Sequence, residues 1–383
     1  MFAFIAIGLR PMPPGHPEKN SSDKIELDLS GCYSMLEVLT EMKNGKPENE
    51  ISKKLDAVLD TKPFQAMFKH YNRSWRPTHL PVAIFKQMIM SLRFKNIYTK
   101  GENDRADAML PYWIKFYENM ALFSENLNQL KKADIITKTA AAADFAKSWL
   151  PPGWDIRDAY LPIIPNGGSK AFAIDSILGY DFFQLPLDSS GNIKINDLLI
   201  TISHELHHLG QKTTMPQTIK KTSDSAAYTF LSVFVGEGTA TKFINNYPGG
   251  LVPVADASRD SAFDNAEIRK WWQQYTLEEP ALFLRLVSTF EKVYAGSLSG
   301  PELQTEISQF WLKGFISPVY FVGSELFGAI YQAYGKEGVF EAMKDLRKLF
   351  LLYNNAIKAK PGILGRCYAL PDSTIRHAGT IGY

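Results

Sequence analysis

The chain has 383 residues, 42 Lys and Arg against 40 Asp and Glu, a formal net charge of +2, and 45% hydrophobic residues. Near-balanced, interspersed charge without a long basic stripe excludes a nucleic-acid footprint, so no binding to DNA or RNA is expected. The length exceeds the roughly 250 to 300 residues at which single cores stop growing, which predicts two or three lobes.

The first nine residues, Met1 to Leu9, are apolar but lack a basic n-region and are too short to span a bilayer. Two readings stand: a signal-peptide remnant, which would place the protein in an exported or periplasmic compartment, or a short native strand or tail in a cytoplasmic one. No other apolar run approaches the roughly 20 residues of a membrane-spanning helix, so no integral membrane segment is expected. Cys32 and Cys367 are the only cysteines, allowing at most one disulfide, and neither has a metal-site partner nearby.

From about residue 20 to 150 the apolar spacing predicts helices. Cys32, Met35, Leu36, Leu39 and Met42 share one face, Ile51, Leu55, Val58 and Leu59 another, and Pro63, Pro77, Pro81 and Pro111 punctuate them. Turns at Pro151 to Gly153 and Asn166 to Gly168 introduce the β-rich part, with strands expected at Ala171 to Ile174 and Tyr180 to Leu185 and a turn at Asp188 to Gly191.

A helix follows whose apolar residues Ile195, Leu199, Ile202, Leu206 and Leu209 recur at helical spacing beside a polar stripe of Asp197, Thr201, His204 and His208. Asn196 is the candidate N-cap and Gly210 the candidate stop. Within it, His204-Glu205-Leu206-His207-His208 is the arrangement that holds zinc while aiming a carboxylate at a water. Residues four apart lie about 40° apart around the axis, so His204 and His208 can grip one ion, while Glu205 flanks it. His207 points elsewhere and only packs or hydrogen-bonds. Chance would produce the five-residue pattern on the order of once in a hundred such chains, so its flanks carry weight.

Two histidines leave a catalytic zinc site one protein ligand short. A further histidine in the metzincin spacing is excluded, because Thr214 stands where it belongs. The better candidate is Glu237, between Gly236 and Gly238 in an apolar stretch from Ser225 to Asn246 that Asp224 could cap. Small neighbours would let this helix approach the first closely enough for a carboxylate oxygen to reach the ion. The polar, Pro216-interrupted segment from Gln211 to Asp224 reads as a surface connection. After Pro248-Gly249-Gly250 helices return, with Leu282, Leu286, Phe290 and Val293 on one face and Val339, Met343, Leu346 and Phe350 on another. Trp271, Trp272 and Trp311 read as core.

His-Glu-x-x-His followed by a helix bearing Glu-Gly-x-Ala resembles the gluzincins, the thermolysin-like zinc peptidases, over about fifty residues, and is most similar to their uncharacterised zinc-dependent members. The Gly-x-Met-Glu-Asn signature of the one-metal aminopeptidases is absent. The resemblance implies a mostly helical α+β fold: a zincin-like catalytic core with a small mixed sheet and flanking helical lobes. Residues 1–20 would be the tail or signal remnant, 21–150 a helical region, 151–250 the catalytic core and 251–383 a helical C-terminal lobe walling the cleft. An edge strand near Ala171 to Ile174 would pair with the substrate backbone.

The same resemblance implies one zinc ion held by His204, His208 and Glu237, a peptide or protein substrate, and Glu205 as general base towards a water whose pKa the metal lowers to about 7. Tyr320, with Gly323 close behind, is the candidate oxyanion donor, ahead of His377, Tyr331 and Tyr334. Asp175, Asp181 and Asp224 are candidates to orient a ligating histidine, and Thr241 to orient Glu237. Hydrolysis of a non-peptide ester or amide, or a non-catalytic scaffold with an ordered metal, are the alternatives.

Overall fold

The computed structural model describes residues 25–73, 78–156, 158–212, 219, 221–247, 252–253, 255, 266–314 and 316–382. The apolar N-terminal run, Pro77, Thr214, Pro216 and the Pro248-Gly249-Gly250 turn fall outside them. The chain forms two compact units, one from the described residues of Lys19–Ala142 and Arg157–Glu205, the other from those of Ala143–Ile156 and Leu206–Tyr383. The protein is mostly helical with one small mixed sheet, an α+β class.

The first unit carries β1 (Glu26–Asp28), α1 (Ser30–Lys43), α2 (Glu48–Leu59), α3 (Lys62–Tyr71), α4 (Val82–Met90), α5 (Asp104–Glu118), α6 (Met120–Lys132) and the start of α7 (Ile135–Ser148). It also carries β2 (Tyr160–Ile164), β3 (Ala171–Ile174), β4 (Ile177–Asp181) and the first part of α8 (Ile195–Lys212). The sheet order is β1-β2-β4-β3, with parallel pairs except for antiparallel β3 and β4. Met35, Leu39, Met42, Ile51 and Leu55 are fully buried, as the helical spacing predicts, with Val38 in place of the half-buried Leu36. Aromatic rings fill the rest: Trp113 meets Phe85 edge-on at 5.5 Å and Phe183 at 5.1 Å.

Several expectations shift. The second strand ends at Asp181, and Phe182–Gln184 turn into a 3-10 helix with the Asp181 side chain accepting from the Phe183 N–H. Pro111 lies inside α5, whose N-terminus is capped by Asn103 accepting from Arg105 and Ala106 N–H groups at 3.0 Å each. The Asp188 to Gly191 turn is present, with Asp188 accepting from Ser190 and Asn192 and Gly191 at positive φ. β3 is an edge strand, and its Ala173 carbonyl accepts from Arg73 at 2.6 Å. Cys32 and Cys367 are both free thiols, the former donating to the Ile163 carbonyl.

The second unit carries the rest of α7 and α8, then α9 (Thr222–Thr239), a π-helical turn at Ala240–Ile244, α10 (Ala266–Tyr294), α11 (Gly300–Glu306), a second π turn at Ile307–Trp311 and α12 (Pro318–Lys344). A 3-10 turn at Leu346–Lys348 and helices α13 (Leu349–Ala359), α14 (Pro361–Leu364) and α15 (Asp372–Gly379) complete it. Leu282, Leu286, Phe290 and Val293 line the buried face of α10 as expected. The second C-terminal face is broken, because Leu346 falls in the 3-10 turn and Phe350 in α13. Trp272 and Trp311 are core, whereas Trp271 is 42% exposed. Among the described residues no helix is long and apolar enough to cross a membrane.

Candidate metal centre

α8 buries Leu198, Ile202, Leu206 and Leu209, so its packing stripe runs through Leu198 and leaves Ile195 and Leu199 half-buried. Asn196 lies inside its first turn rather than capping it. Gly210 does not end it either: the helix continues to Lys212, and a Cβ there would stand 2.1 Å from a Leu150 methyl, so this glycine makes room for packing. His204, Glu205 and His208 are buried to between 8% and 9% exposure.

α9 is entered at Lys221 without a side-chain cap. Asp224 sits in its first turn, where a carboxylate favours the helix dipole, instead of at the cap. Glu237 is buried near its C-terminal end. Its two glycine neighbours serve different contacts. A Cβ on Gly236 would stand 3.4 Å from Nδ1 of His208 and 3.2 Å from Oε1 of Gln211, whereas one on Gly238 would overlap the backbone of Gly323 on α12 at 2.6 Å. The close approach expected around Glu237 is therefore made to α8 on one side and to α12 on the other.

The result is a buried cluster in which one ligand atom each from His204, His208 and Glu237 lies within 4.8 Å of the other two. His208 Nε2 and Glu237 Oε1 are 3.3 Å apart. Arms of about 2.0 to 2.1 Å from a tetrahedral zinc to nitrogen or oxygen imply ligand separations of roughly 3.3 to 3.5 Å, so this spacing suits a shared ion. Two neutral imidazoles and a carboxylate are also a donor set that suits zinc, and with three ligands a fourth position remains for water or substrate. The residues present therefore fit the metal.

Beside Glu205, in the first unit, Lys170 and Tyr180 feel its charge. Burial holds the Lys170 ammonium below the ordinary lysine range, opposed by the negative charges of Asp197 and Glu205. Burial likewise raises the Tyr180 phenol, with Asp181, Asp197 and Glu205 adding to the rise. Neither was singled out in the sequence; an isolated Lys after Gly-Gly-Ser and a Tyr within a strand give no periodic signal.

Of the suggested orienting groups, Asp175 is exposed and paired with Lys69 at 2.6 Å. Asp181 is fully buried but accepts from the Asn166, Gly167 and Phe183 N–H groups and from Gln184 Nε2, fixing the loop between β2 and β3. Thr241 is buried in the π turn, and its hydroxyl has no hydrogen-bond partner among the described residues. His207 is fully buried and contacts the Trp149 carbonyl at 3.2 Å.

Tyr320 is buried in the first turn of α12, three residues before Gly323. Tyr331 belongs to an aromatic group with Trp149 and Phe243, and Tyr334 is 39% exposed. His377 contacts Glu291 at 2.7 Å and stacks on Tyr294 at 4.4 Å, which fastens α15 to α10.

Residues 55–362 match the family described as "Putative zinc dependent peptidase (DUF5700)". No curated protein and no solved structure matches the chain.

Proposed function

Because the chain belongs to the family described as "Putative zinc dependent peptidase (DUF5700)", we propose that it is a metallopeptidase of gluzincin type, with one zinc held by His204, His208 and Glu237. The observation that carries this is the burial of two imidazoles and a carboxylate on converging helices, with the carboxylate of Glu205 one residue along from the first histidine. Bound there, zinc would supply Lewis acidity, acidifying a water and polarising the scissile carbonyl. Glu205 would take the proton of the attacking water and deliver it to the departing amine. Burial of Glu205 would strengthen a hydrogen bond to that water by excluding competing solvent. Tyr320 would donate its phenolic hydrogen to the oxyanion that develops as the carbonyl is attacked. Peptide or protein is the proposed substrate class.

The test is elemental analysis of the purified protein followed by chelator-sensitive cleavage of a mixed peptide library, with Glu205→Gln alongside. One zinc per chain, cleavage by wild type, and retained zinc without cleavage in Glu205→Gln are expected. Zinc binding without peptide cleavage would redirect the assignment to a non-peptide ester or amide or to a non-catalytic scaffold. Undiminished activity in Glu205→Gln would remove the general-base role.

A further inference from the structure

We propose that Gln211 is a positioning residue for the metal centre: its side-chain amide fixes the spacing between the helix bearing His208 and the helix bearing Glu237. This rests on the metal assignment above but concerns a residue that the His-Glu-x-x-His pattern does not contain. Gln211 lies on α8 one turn after His207 and three residues after His208. Its Nε2 contacts Nδ1 of His207 at 3.2 Å and donates to Oγ1 of Thr239 on α9 at 2.9 Å, two residues past Glu237. One amide group thus bridges both ligand-bearing helices within a turn of their ligands.

Donor and acceptor roles along this bridge follow from the groups at its two ends. The Trp149 carbonyl can only accept, so His207, 3.2 Å away, must carry its proton on Nε2. Thr239 fixes the amide –NH2 of Gln211 as a donor, and the same –NH2 faces Nδ1 of His207, which accepts from it. The second hydrogen of that –NH2 goes to Thr239, whose own hydroxyl donates to the Val235 carbonyl at 2.6 Å. The donors and acceptors alternate along a chain from Trp149 through α8 to α9. His207 and Thr239 are fully buried, so the bridge lies away from water, where a hydrogen bond is strongest.

Gly236 completes the arrangement. Oε1 of Gln211 rests where a Cβ would stand only 3.2 Å away, and His208 Nδ1 is next to it at 3.4 Å. The amide therefore occupies the gap that the absent side chain leaves between the helices. Metal sites tolerate displacements of only about 0.2 Å in ligand distance, so a bridge setting the interhelical gap sets how well Glu237 and His208 meet one ion.

The test uses the full-length protein with zinc alone. Zinc affinity is measured by competition with a fluorescent chelator for wild type, Gln211→Met, which keeps the volume and removes the donor, Thr239→Val, and the pair together. The visible spectrum of the cobalt-loaded proteins is recorded alongside. Each single variant is expected to bind zinc roughly tenfold more weakly, the loss typical of groups that orient metal ligands, and to shift the cobalt bands. The double variant is expected to be no worse than the weaker single, because both cut one chain. Wild-type affinity and spectrum in a folded Gln211→Met would overturn the proposal. Should that variant fail to fold, Thr239→Val provides the same readout. Absence of zinc binding by the wild type would instead overturn the metal assignment on which it rests.

Discussion

Gly238 and Gly323 cross with their backbones in contact: a Cβ on either would lie 2.6 to 2.7 Å from main-chain atoms of the other. Because these neighbours are backbone, neither a rotamer change nor a small side-chain shift can relieve the overlap. Glu237 immediately precedes this crossing on α9, and Tyr320 precedes it by one turn on α12, so the crossing positions both of the residues that the proposed chemistry draws from these helices.

Gly323→Ala is therefore expected to force α9 and α12 apart. A destabilisation of about 1 to 3 kcal/mol, as for overpacked cores, should appear in urea unfolding of the metal-free protein. Zinc affinity should fall with it, since Glu237 moves with α9. Unchanged stability and affinity would show that the crossing adjusts without cost.

Gly236→Ala should separate helix stability from site geometry. Alanine in a helix interior is favoured over glycine by roughly 0.8 to 1.0 kcal/mol, which stabilises α9. The same methyl would press on Gln211 and His208 at 3.2 and 3.4 Å. Thermal unfolding of the metal-free variant is expected to be unchanged or slightly raised while zinc binds less tightly. If zinc affinity were instead to rise with stability, the gap at Gly236 would have no role in setting the ligands.

The site was more legible in the sequence than the sheet that precedes it. His204, His208 and Glu237 announce themselves because metal ligation demands a fixed spacing on one helix and a carboxylate in an apolar setting, and the three do converge. β3 was legible from its bounding turns. β1 was not, being three residues of Glu-Leu-Asp, and β2 was hidden by Pro162, a residue that normally argues against a strand. The helix termini were misplaced for a different reason. Asn196 and Gly210 look like a cap and a stop, but tertiary contact assigns Gly210 to packing against Leu150. Gln211 had a signal that could have been used, a Gln one turn after a buried His, but its partner Thr239 is 28 residues away and only the fold brings them together.

Asp181 predicts a pH dependence of stability. Burial pushes its carboxyl up to about 6, against the opposing hydrogen bonds from Gln184, Asn166, Gly167 and Phe183. In the unfolded chain it titrates near the ordinary value of about 3.9. Between those two values the folded state holds the proton more often than the unfolded state, so this group's contribution to stability falls as pH rises from about 4 to about 6 and is then constant. Two units correspond to on the order of 2 to 3 kcal/mol. Urea unfolding of wild type and Asp181→Asn across that range should show the difference between them changing by this amount, with wild type losing ground as pH rises. A pH-independent difference would mean that the four donors offset burial.

The identity of the oxyanion donor can be decided by comparing Tyr320 with His377. His377 is committed elsewhere: it contacts Glu291, which also accepts from Thr374, and it stacks on Tyr294, so its replacement should loosen α15 and leave turnover per folded molecule unchanged. Tyr320 is buried on the helix that meets α9 beside Glu237, and Tyr320→Phe removes only a hydroxyl. Loss of one oxyanion donor typically costs about 100- to 1000-fold in kcat. Tyr320→Phe is expected to show such a loss with zinc content and KM nearly unchanged, because a bond made only to the developing charge contributes little to ground-state binding. His377→Ala is expected to unfold at lower temperature with kcat intact. The opposite outcome, full activity in Tyr320→Phe and a large kcat loss in a folded His377→Ala, would transfer the role to the histidine.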